Sequence, residues 1–310
     1  MLRSINAVIS NRHPVVWRLS LQPDLFPFVK LLKAMMKKFA SMLLRGTALS
    51  LVLALSSSYA FSQDAPAKKI KDHRTAPELF FLQEGDVPNS YLLLPPPPDG
   101  ASITFLNDQA RYSWGKTQRN TERGAQAFRD ARVEGNGVPM AFSEAFGVNI
   151  DEQTAPEILK LIVGMREDAG DLGTREAKNY YNRQRPFSFY EEDTCNPEQQ
   201  QELSTNGSYP SGHTSIGWAT ALVLAEINPE RQNEILQRGY EMGESRVICG
   251  YHFQSDVDAG RITGAVTVAR LHADPAFQAQ LAKAKAEFKN LKKAGKVAAG
   301  TPVPPPTTTD

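Results

Sequence analysis

The sequence predicts an all-α fold, and three observations lead to that class. From about residue 102 onward, apolar residues recur at helical spacing, most clearly between Ile158 and Leu172. Residues 213–227 are apolar almost all round, which is typical of a helix buried in a core. No segment alternates apolar and polar residues as half-buried strands do, and there is neither an internal repeat nor a glycine-rich dinucleotide loop.

The first strong helix signal begins at Thr154. Thr154 and Glu157 have the spacing of a capping box, and Pro156 is favourable in a first turn. Apolar residues then continue to Leu172. Lys178 and Arg185 follow, and we expect them on a C-terminal extension of this helix and at its exit. They are seven residues apart, so both can face one side, and Pro186 would end the helix.

Further helices are predicted after the buried 213–227 segment. A helix with Ile235 and Leu236 on one face comes first, and Ser255 with Asp258 can cap another that runs to about Ala273. The last helix starts at Pro275 and is amphipathic. Before all of these, residues 94–98 form a proline-rich segment that must be extended. The proline- and threonine-rich residues 295–310 predict a disordered tail.

The N-terminal 60 residues predict a leader that is removed. Residues 36–60 have a basic start, an apolar stretch from Gly46 to Leu55 and small residues before a cleavage site after Ala60. The apolar stretch is too short to span a bilayer. Residues 1–35 are an unusual prefix, either an over-extended reading frame or a longer leader. Cleavage would leave a domain over residues 61–294 and the tail, with a periplasmic or secreted location.

The charge of the predicted mature chain limits its partners. Residues 1–60 hold eight of the 35 basic and one of the 34 acidic residues, so the remainder carries 27 basic and 33 acidic residues, a net charge of −6. An acidic protein is poorly suited to nucleic-acid polymers or anionic membranes. No apolar run after residue 60 reaches membrane-spanning length, so we expect a soluble product. Any anion must be bound by a local cluster of cations.

Cys195 and Cys249 are the only cysteines. In an exported chain an even pair favours a disulfide, with two buried free thiols as the alternative. A bridge would tether the segment around residue 195 to a position three residues before His252.

Two groups of residues suggest anion binding. Ser211 and Gly212 precede the buried helix, where free amides and a glycine make a seat for an anion; alone, they equally fit a simple turn. Lys178, Arg185 and Arg246 read as ordinary surface charges individually. Converging on one site, they would neutralise a phosphate and the charge that develops during its transfer.

Two histidines, His252 and His213, have neighbours in the sequence that suggest a catalytic role. Asp256 follows His252 by four residues, so its carboxylate can accept one ring N–H and leave the other nitrogen as a nucleophile; a surface or capping pair is the alternative. His213, directly after Gly212, is then available to protonate a leaving group. The other two histidines after residue 60, His73 and His272, lack such surroundings.

In combination, these segments resemble a known three-part signature. There are 23 residues between Pro186 and Pro210 and 31 between His213 and Ser245. This order closely resembles the PAP2-type acid phosphatase superfamily, and within it the bacterial class A non-specific acid phosphatases. The resemblance covers residues 78–294, without departure from the catalytic signature. The motifs that carry it are Lys178-x6-Arg185-Pro186, Pro210-Ser211-Gly212-His213, Ser245-Arg246-x5-His252-x3-Asp256, Asn120–Gly124 and Glu167–Leu172.

The resemblance implies a single compact helical bundle, no metal, and a role for each site residue. His252 would attack phosphorus and form a phosphohistidine, Asp256 would orient it, and His213 would be the general acid and base. The phosphate-binding residues would be Lys178, Arg185, Ser211, Gly212 and Arg246. Substrates would be small phosphate monoesters, vanadate would inhibit without serving as a cofactor, alcohols could accept the phosphoryl group, and the chain would self-associate.

Two alternatives share parts of this pattern. Vanadium-dependent haloperoxidases resemble the same motifs, but they are usually much larger. A non-catalytic phosphate-binding protein would need the cations but not an oriented nucleophile opposite an acid. Nothing in the sequence distinguishes a monoesterase from an apyrase-like enzyme.

Overall fold

The computed structural model describes residues 80–300, and this range is all-α, with no strand. The predicted fold class is confirmed. The leader and its cleavage site lie outside the described residues. The α-helices of the range are α1 (Ser90–Leu93), α2 (Ile103–Gln118), α3 (Glu122–Arg129), α4 (Gly137–Phe146), α5 (Pro156–Glu167), α6 (Arg175–Tyr181), α7 (Pro186–Phe189), α8 (Gln200–Leu203), α9 (Gly212–Ile227), α10 (Gln232–Ile248), α11 (Gln254–Leu271) and α12 (Pro275–Lys293). A π-helical segment (Asp168–Leu172) and two 3₁₀ turns (Pro197–Gln199 and Pro229–Arg231) complete them.

Helix α9 is the central element. It packs against α10 and α11 along most of its length and also against the π-helical segment. Ten of its residues are buried, as its nearly all-apolar sequence predicts. The contact with α11 is close at Gly260, where an added Cβ would lie 2.6 Å from the carbonyl oxygen of Ser211. This contact fixes the start of α9 against α11, and both helix starts carry predicted site residues.

The start of α5 differs from the predicted capping box. Ala155, not Thr154, precedes the helix, and no side chain of its own segment caps it. Instead the carboxylate of Glu287, on α12, accepts the backbone N–H groups of Glu157 and Ile158 at 3.0–3.1 Å. The free amides at a helix start need an acceptor, and here a distant helix supplies it. The local pattern was therefore overridden by a tertiary contact.

The predicted helical connection between Leu172 and Pro186 is also wrong. Helix α5 ends at Glu167, and the chain then passes through the π-helical segment and α6. Asn182, with φ of +39°, ends α6 in a left-handed conformation, so Lys178 and Arg185 lie on different elements. Pro186 begins α7 rather than ending a helix. The two cations converge through tertiary structure and not by sharing a helix face.

The cap of α11 is one more correction. Ser255 and Asp258 lie inside the helix, and the carboxylate of Asp256 accepts the backbone N–H of Phe253 at 2.8 Å. The hydroxyl of Ser255 instead bonds to the carboxylate of Asp108, on α2, at 2.5 Å. The helix itself runs to Leu271, close to the predicted end.

Three further predictions concern the remaining described chain. Helix α12 starts at Pro275 as predicted and buries its apolar face. The first residues of the predicted tail are attached, because the backbone N–H of Ala298 donates to the carbonyl of Gly147 at 2.9 Å. Residues 301–310 lie outside the described range. Cys195 and Cys249 form the predicted disulfide, with an S–S distance of 2.02 Å. Among the described helices, none combines the length and apolarity needed to cross a membrane.

Candidate active site

The predicted site residues come together around His252. They lie in or next to five helices, α6, α7, α9, α10 and α11. Lys178, Arg185, Arg246, His252 and Asp256 are all 8% exposed or less. Arg185 contacts His252 directly, and the backbone N–H of Ser211 donates to the carbonyl of Asp256 at 2.9 Å. The site is thus a buried cluster with a strong excess of positive charge.

The contacts of His252 define its protonation. Its Nε2 lies 3.0 Å from Nη1 of Arg185. A guanidinium can only donate, so Nε2 accepts and the ring proton resides on Nδ1. Nδ1 faces Ser208 Oγ at 3.2 Å and Asp256 Oδ2 at 3.5 Å. Burial and the charge of Arg185 hold the pKa of His252 well below its usual range. The ring is therefore neutral, and the lone pair of Nε2 faces Arg185.

Asp256 is held as a carboxylate by several donors. Nη1 of Arg183 lies 2.6 Å from Oδ1, and Oδ2 accepts bonds from the hydroxyl of Ser208 at 2.5 Å and the backbone N–H of Phe253 at 2.8 Å. Burial alone would raise the pKa of Asp256, but the charge of Arg183 and the bonds to His252 and Ser208 hold it well below its usual range. The group can orient His252 without competing for its proton.

Arg183 was not singled out from the sequence. Its guanidinium bridges Asp256 and Asp108, with Nη2 2.8 Å from Asp108 Oδ2, and it lies over the ring of Phe253 at 4.4 Å. It serves as the counter-ion of Asp256 and Asp108, although it lies between Lys178 and Arg185 in the chain. The sequence offered one indication of its role. If Asp256 is buried, its negative charge needs a counter-ion, and a neutral His252 does not supply one.

Two of the three predicted phosphate-binding cations are anchored by backbone carbonyls. Nζ of Lys178 donates to Gly207 O at 2.9 Å, and Nε of Arg185 donates to Leu203 O at 2.8 Å. Nη2 of Arg185 also bonds Asn206 Oδ1 at 2.5 Å. Burial and Arg185 lower the pKa of Lys178 well below its usual value, and burial and Arg246 lower that of Arg185 to about 9. A negative charge bound nearby would therefore stabilise the protonated forms of both side chains.

Arg246 is the exception, because its guanidinium is buried without a hydrogen-bond partner. It is 1% exposed, and among the described residues none accepts a bond from Nε, Nη1 or Nη2. Its guanidinium carbon lies 4.2 Å from the centroid of the Tyr251 ring. Burial lowers its pKa to about 10. A buried guanidinium with free donors is costly unless an anion can approach it, so this side chain points to an oxyanion site.

The predicted anion seat, Ser211 and Gly212, lies at the start of α9. Ser211 is the N-cap residue, and its Oγ accepts bonds from the backbone N–H and the hydroxyl of Thr214. Its own hydroxyl hydrogen stays available. A Cβ at Gly212 would lie 2.9 Å from Gly170 O, in the π-helical segment, which explains the glycine. Gly212 itself has no side chain that could cover the amides of this helix start.

His213 is oriented by a backbone carbonyl. Its Nε2 lies 3.2 Å from Ala131 O, in the connection between α3 and α4. A carbonyl only accepts, so Nε2 carries a hydrogen and Nδ1 is the nitrogen free for chemistry. Burial, Arg246 and His252 hold the pKa of His213 well below its usual range in the free protein. Neither Ala131 nor Ser208 could be recognised from the sequence, because one acts through its backbone and the other is a common residue type.

The disulfide and its surroundings stabilise the turn before His252. Cys195 N donates to Cys249 O at 3.0 Å, beside the covalent bond between the two residues. The backbone N–H groups of Tyr251 and His252 both donate to Arg246 O, at 3.0 and 3.3 Å. The positions of Arg246 and His252 are therefore coupled by the backbone of this turn.

The chain is similar in sequence to one protein family and to several curated phosphatases. The sequence model of the PAP2 superfamily matches residues 160–278, which include every predicted site residue. The chain is 61% identical to a non-specific acid phosphatase of Providencia stuartii over 222 residues, covering 72% of this chain and 90% of that protein. It is 44% identical to a non-specific acid phosphatase of Salmonella typhimurium, covering 64% and 80%. It is 38% identical to an acid phosphatase of Zymomonas mobilis, covering 65% and 76%.

Proposed function

The chain belongs to the PAP2 superfamily as a bacterial class A acid phosphatase, and we propose that it hydrolyses small phosphate monoesters through a phosphohistidine formed on His252. One observation carries the proposal. Arg185 lies 3.0 Å from Nε2 of His252, and its pKa is lowered by burial and by the charge of Arg246, whose guanidinium has no hydrogen-bond partner among the described residues. A phosphoryl group bound there would meet both a nucleophile and a charge-stabilising donor.

The first step transfers the phosphoryl group to the enzyme. The lone pair of His252 Nε2 forms a bond to phosphorus while the bond between phosphorus and the ester oxygen breaks. Nδ1 of His213, protonated in the complex, gives its proton to the departing alkoxide. Lys178, Arg185, Arg246 and the seat at Ser211 and Gly212 bind the non-bridging oxygens, whose charge they neutralise. The alcohol leaves and phosphohistidine remains.

The second step releases phosphate. Nδ1 of His213, now neutral, takes a proton from a water molecule whose oxygen attacks phosphorus. The nitrogen–phosphorus bond breaks, and its electron pair returns to His252 Nε2. Asp256 stabilises the positive charge that the phosphorylated ring carries between the two steps. The cycle ends with both histidines in their starting states once inorganic phosphate departs.

An acidic optimum follows from the two histidine pKa values. His252 must be neutral to attack, and its depressed pKa keeps it so at low pH. His213 must be protonated, yet its pKa is also depressed by burial and by Arg246. A bound phosphate dianion opposes the charge of Arg246 and raises the pKa of His213. Activity should therefore fall as pH rises through the pKa of His213 in the complex.

Several consequences belong to the same proposal. Vanadate, which adopts the geometry of the transition state, should bind tightly as an inhibitor. An alcohol in place of water should receive the phosphoryl group, giving phosphotransferase activity. The three cations supply charge stabilisation, so we expect no requirement for a metal. We also propose self-association of the chain, which sedimentation of the purified protein can test.

Export is proposed on the sequence of residues 36–60. The test is cell fractionation with N-terminal sequencing of the product. A periplasmic or secreted protein beginning at Phe61 supports export, whereas activity confined to the cytoplasm with an intact N-terminus refutes it.

The first test of function is hydrolysis of p-nitrophenyl phosphate near pH 6 by purified residues 61–310, with EDTA and with or without micromolar vanadate. We expect turnover that EDTA leaves intact and vanadate blocks. Halide oxidation by peroxide after vanadate addition, without phosphatase turnover, would indicate a haloperoxidase. Phosphate binding without either activity would indicate a binding protein. His252→Ala should abolish hydrolysis while retaining part of the phosphate binding.

A further inference from the structure

The hydroxyl of Ser208 lies between the imidazole of His252, the proposed nucleophile, and the carboxylate of Asp256 that is proposed to orient it. Its Oγ is 3.2 Å from Nδ1 of His252 and 2.5 Å from Oδ2 of Asp256. The direct distance from Nδ1 to Oδ2 is longer, at 3.5 Å. Ser208 itself is fully buried. The shorter path from the carboxylate to the imidazole therefore passes through this hydroxyl.

Donor and acceptor types give this path a direction. Arg185 can only donate to His252 Nε2, so the ring hydrogen lies on Nδ1. Asp256, with a depressed pKa, can only accept, so the Ser208 hydroxyl must donate to it. The lone pairs of Ser208 Oγ then accept the hydrogen of Nδ1. Each bond in the chain from Arg185 to Asp256 has one allowed orientation.

The position of Ser208 is set by groups that hold the rest of the site. Its backbone N–H donates to Arg183 O at 2.8 Å, and the carbonyl of the preceding Gly207 accepts from Lys178 Nζ at 2.9 Å. Arg183 also binds the far oxygen of Asp256. The hydroxyl is therefore fixed between partners that are themselves immobilised, as a positioning group requires.

We propose that Ser208 is a positioning residue that relays the charge of Asp256 to His252. The inference rests on the proposed phosphohistidine function. When Nε2 bonds to phosphorus, the ring becomes positively charged and the hydrogen bond from Nδ1 to Ser208 strengthens. The bond from Ser208 to Asp256 strengthens with it, because connected hydrogen bonds polarise one another. No proton moves along the chain, and no bond of Ser208 breaks.

The test is a double-mutant cycle on the rate of phosphoenzyme formation. Wild type, S208A, D256N and S208A/D256N are mixed with radiolabelled phenyl phosphate in excess enzyme, and labelled protein is measured after quenching. We expect S208A to slow labelling about 10- to 100-fold, as for a lost hydrogen bond to a charged group. If the relay carries the effect of Asp256, S208A should add little to the loss that D256N alone causes.

A matched control separates the relay from packing. Ser215 is also fully buried, and its hydroxyl bonds Thr263 Oγ1 at 3.2 Å. S215A makes the same change in volume and should label within about twofold of wild type, as a substitution without a role in the reaction. If S208A does not fold, S208C takes its place in the cycle. A thiol is close in size but a weak donor and acceptor, so the same coupling to Asp256 is expected.

The outcomes are distinguishable. No label on wild type would overturn the proposed function itself. Label on wild type that S208A leaves within twofold would overturn the relay alone. The relay would also be overturned if the double variant lost labelling rate by the product of the two single-variant factors. Such additivity in free energy means that Ser208 and Asp256 act separately. A large loss from S208A that vanishes in the D256N background supports it.

Discussion

The two histidines of the site are held by different kinds of group. His252 is oriented through Nδ1 by the Ser208 hydroxyl and the carboxylate of Asp256. His213 is oriented through Nε2 by the carbonyl of Ala131. A carboxylate stabilises a positive ring, which the phosphorylated nucleophile becomes. A carbonyl fixes the ring with no full charge, so it favours the protonated form less and the ring releases its proton readily. The difference fits the proposed roles, in which His252 bonds to phosphorus and His213 transfers protons.

The largest effect should come from removing the negative charge of Asp256, next to His252. Asp256→Asn keeps the shape of the side chain but removes the negative charge that would stabilise the phosphorylated, positively charged ring of His252. By analogy with the orienting carboxylate of serine proteases, kcat should fall about 10³- to 10⁴-fold. Steady-state hydrolysis of p-nitrophenyl phosphate measures it. Asp258→Asn, on the same helix but largely exposed, is the control and should stay near wild type. If D256N kept a kcat close to wild type, the carboxylate would not matter for His252, and the contrast with the carbonyl that orients His213 would have no functional meaning.

The second effect depends on the leaving group. His213→Ala removes the proton donor, which an alkoxide needs and p-nitrophenolate does not. The first turnover of an alkyl phosphate should slow about 10²- to 10⁴-fold. The first-turnover burst of p-nitrophenol should remain close to wild type. Rapid-quench measurements with both substrates test this, and an equal loss for the two would contradict the acid role.

The third prediction concerns Arg246, whose charge acts on His213 and Arg185. Arg246→Met should weaken phosphate binding about 10- to 100-fold, because a charged hydrogen-bond donor is lost. It should also raise the free energy of unfolding in phosphate-free buffer by about 1–3 kcal/mol, because a buried charge without a partner is removed. Isothermal titration and chemical denaturation measure the two effects.

Arg238→Met is the matched control for stability. Arg238 is also largely buried on α10, but it pairs with the carboxylate of Asp130 and donates to Ala141 O at 2.9 Å. Its loss leaves a buried carboxylate unpaired and should lower the free energy of unfolding by about 3–5 kcal/mol. If the two substitutions changed stability in the same direction, Arg246 would not be the unpartnered cation described above.

The smallest expected effect is proton uptake on phosphate binding. The pKa of His213 is depressed in the free protein, mainly by burial and Arg246, and a bound dianion should raise it. At a pH between these two values, where phosphate in solution is already a dianion, binding should take up to about one proton. Titrations in buffers with different ionisation enthalpies measure it. His213→Ala should abolish the uptake, and uptake unchanged in that variant would assign the proton to another group.

The sequence was sufficient for the residue types of the site but not for how they are positioned. Lys178, Arg185 and Arg246 could be identified as candidates because the order and spacing of the three segments resemble the PAP2 signature. Their geometry could not, since Lys178 and Arg185 are separated by the left-handed turn at Asn182 and meet through folding. Ser208 and the carbonyl of Ala131 gave no signal, because a serine and a backbone oxygen occur everywhere in a sequence.

The helices show the same limit. The buried helix α9 and the amphipathic α12 were predicted because periodicity and apolar content are local properties. The cap of α5 was wrong because its amides are satisfied by Glu287, 130 residues away. The cap of α11 was wrong because Ser255 bonds Asp108 instead, while Asp256 serves both the helix start and the site. Long-range polar contacts decided each of these cases.

The most direct test of the central claim uses His213→Ala with radiolabelled p-nitrophenyl phosphate. In the proposed mechanism this substrate does not need the acid to phosphorylate the enzyme, but the attack of water still needs His213 as the base. The account predicts that labelled protein accumulates, that the label is acid-labile and base-stable, and that peptide mapping places it on His252. Label on another residue, or no accumulation despite a burst of p-nitrophenol, would contradict the division of roles between the two histidines.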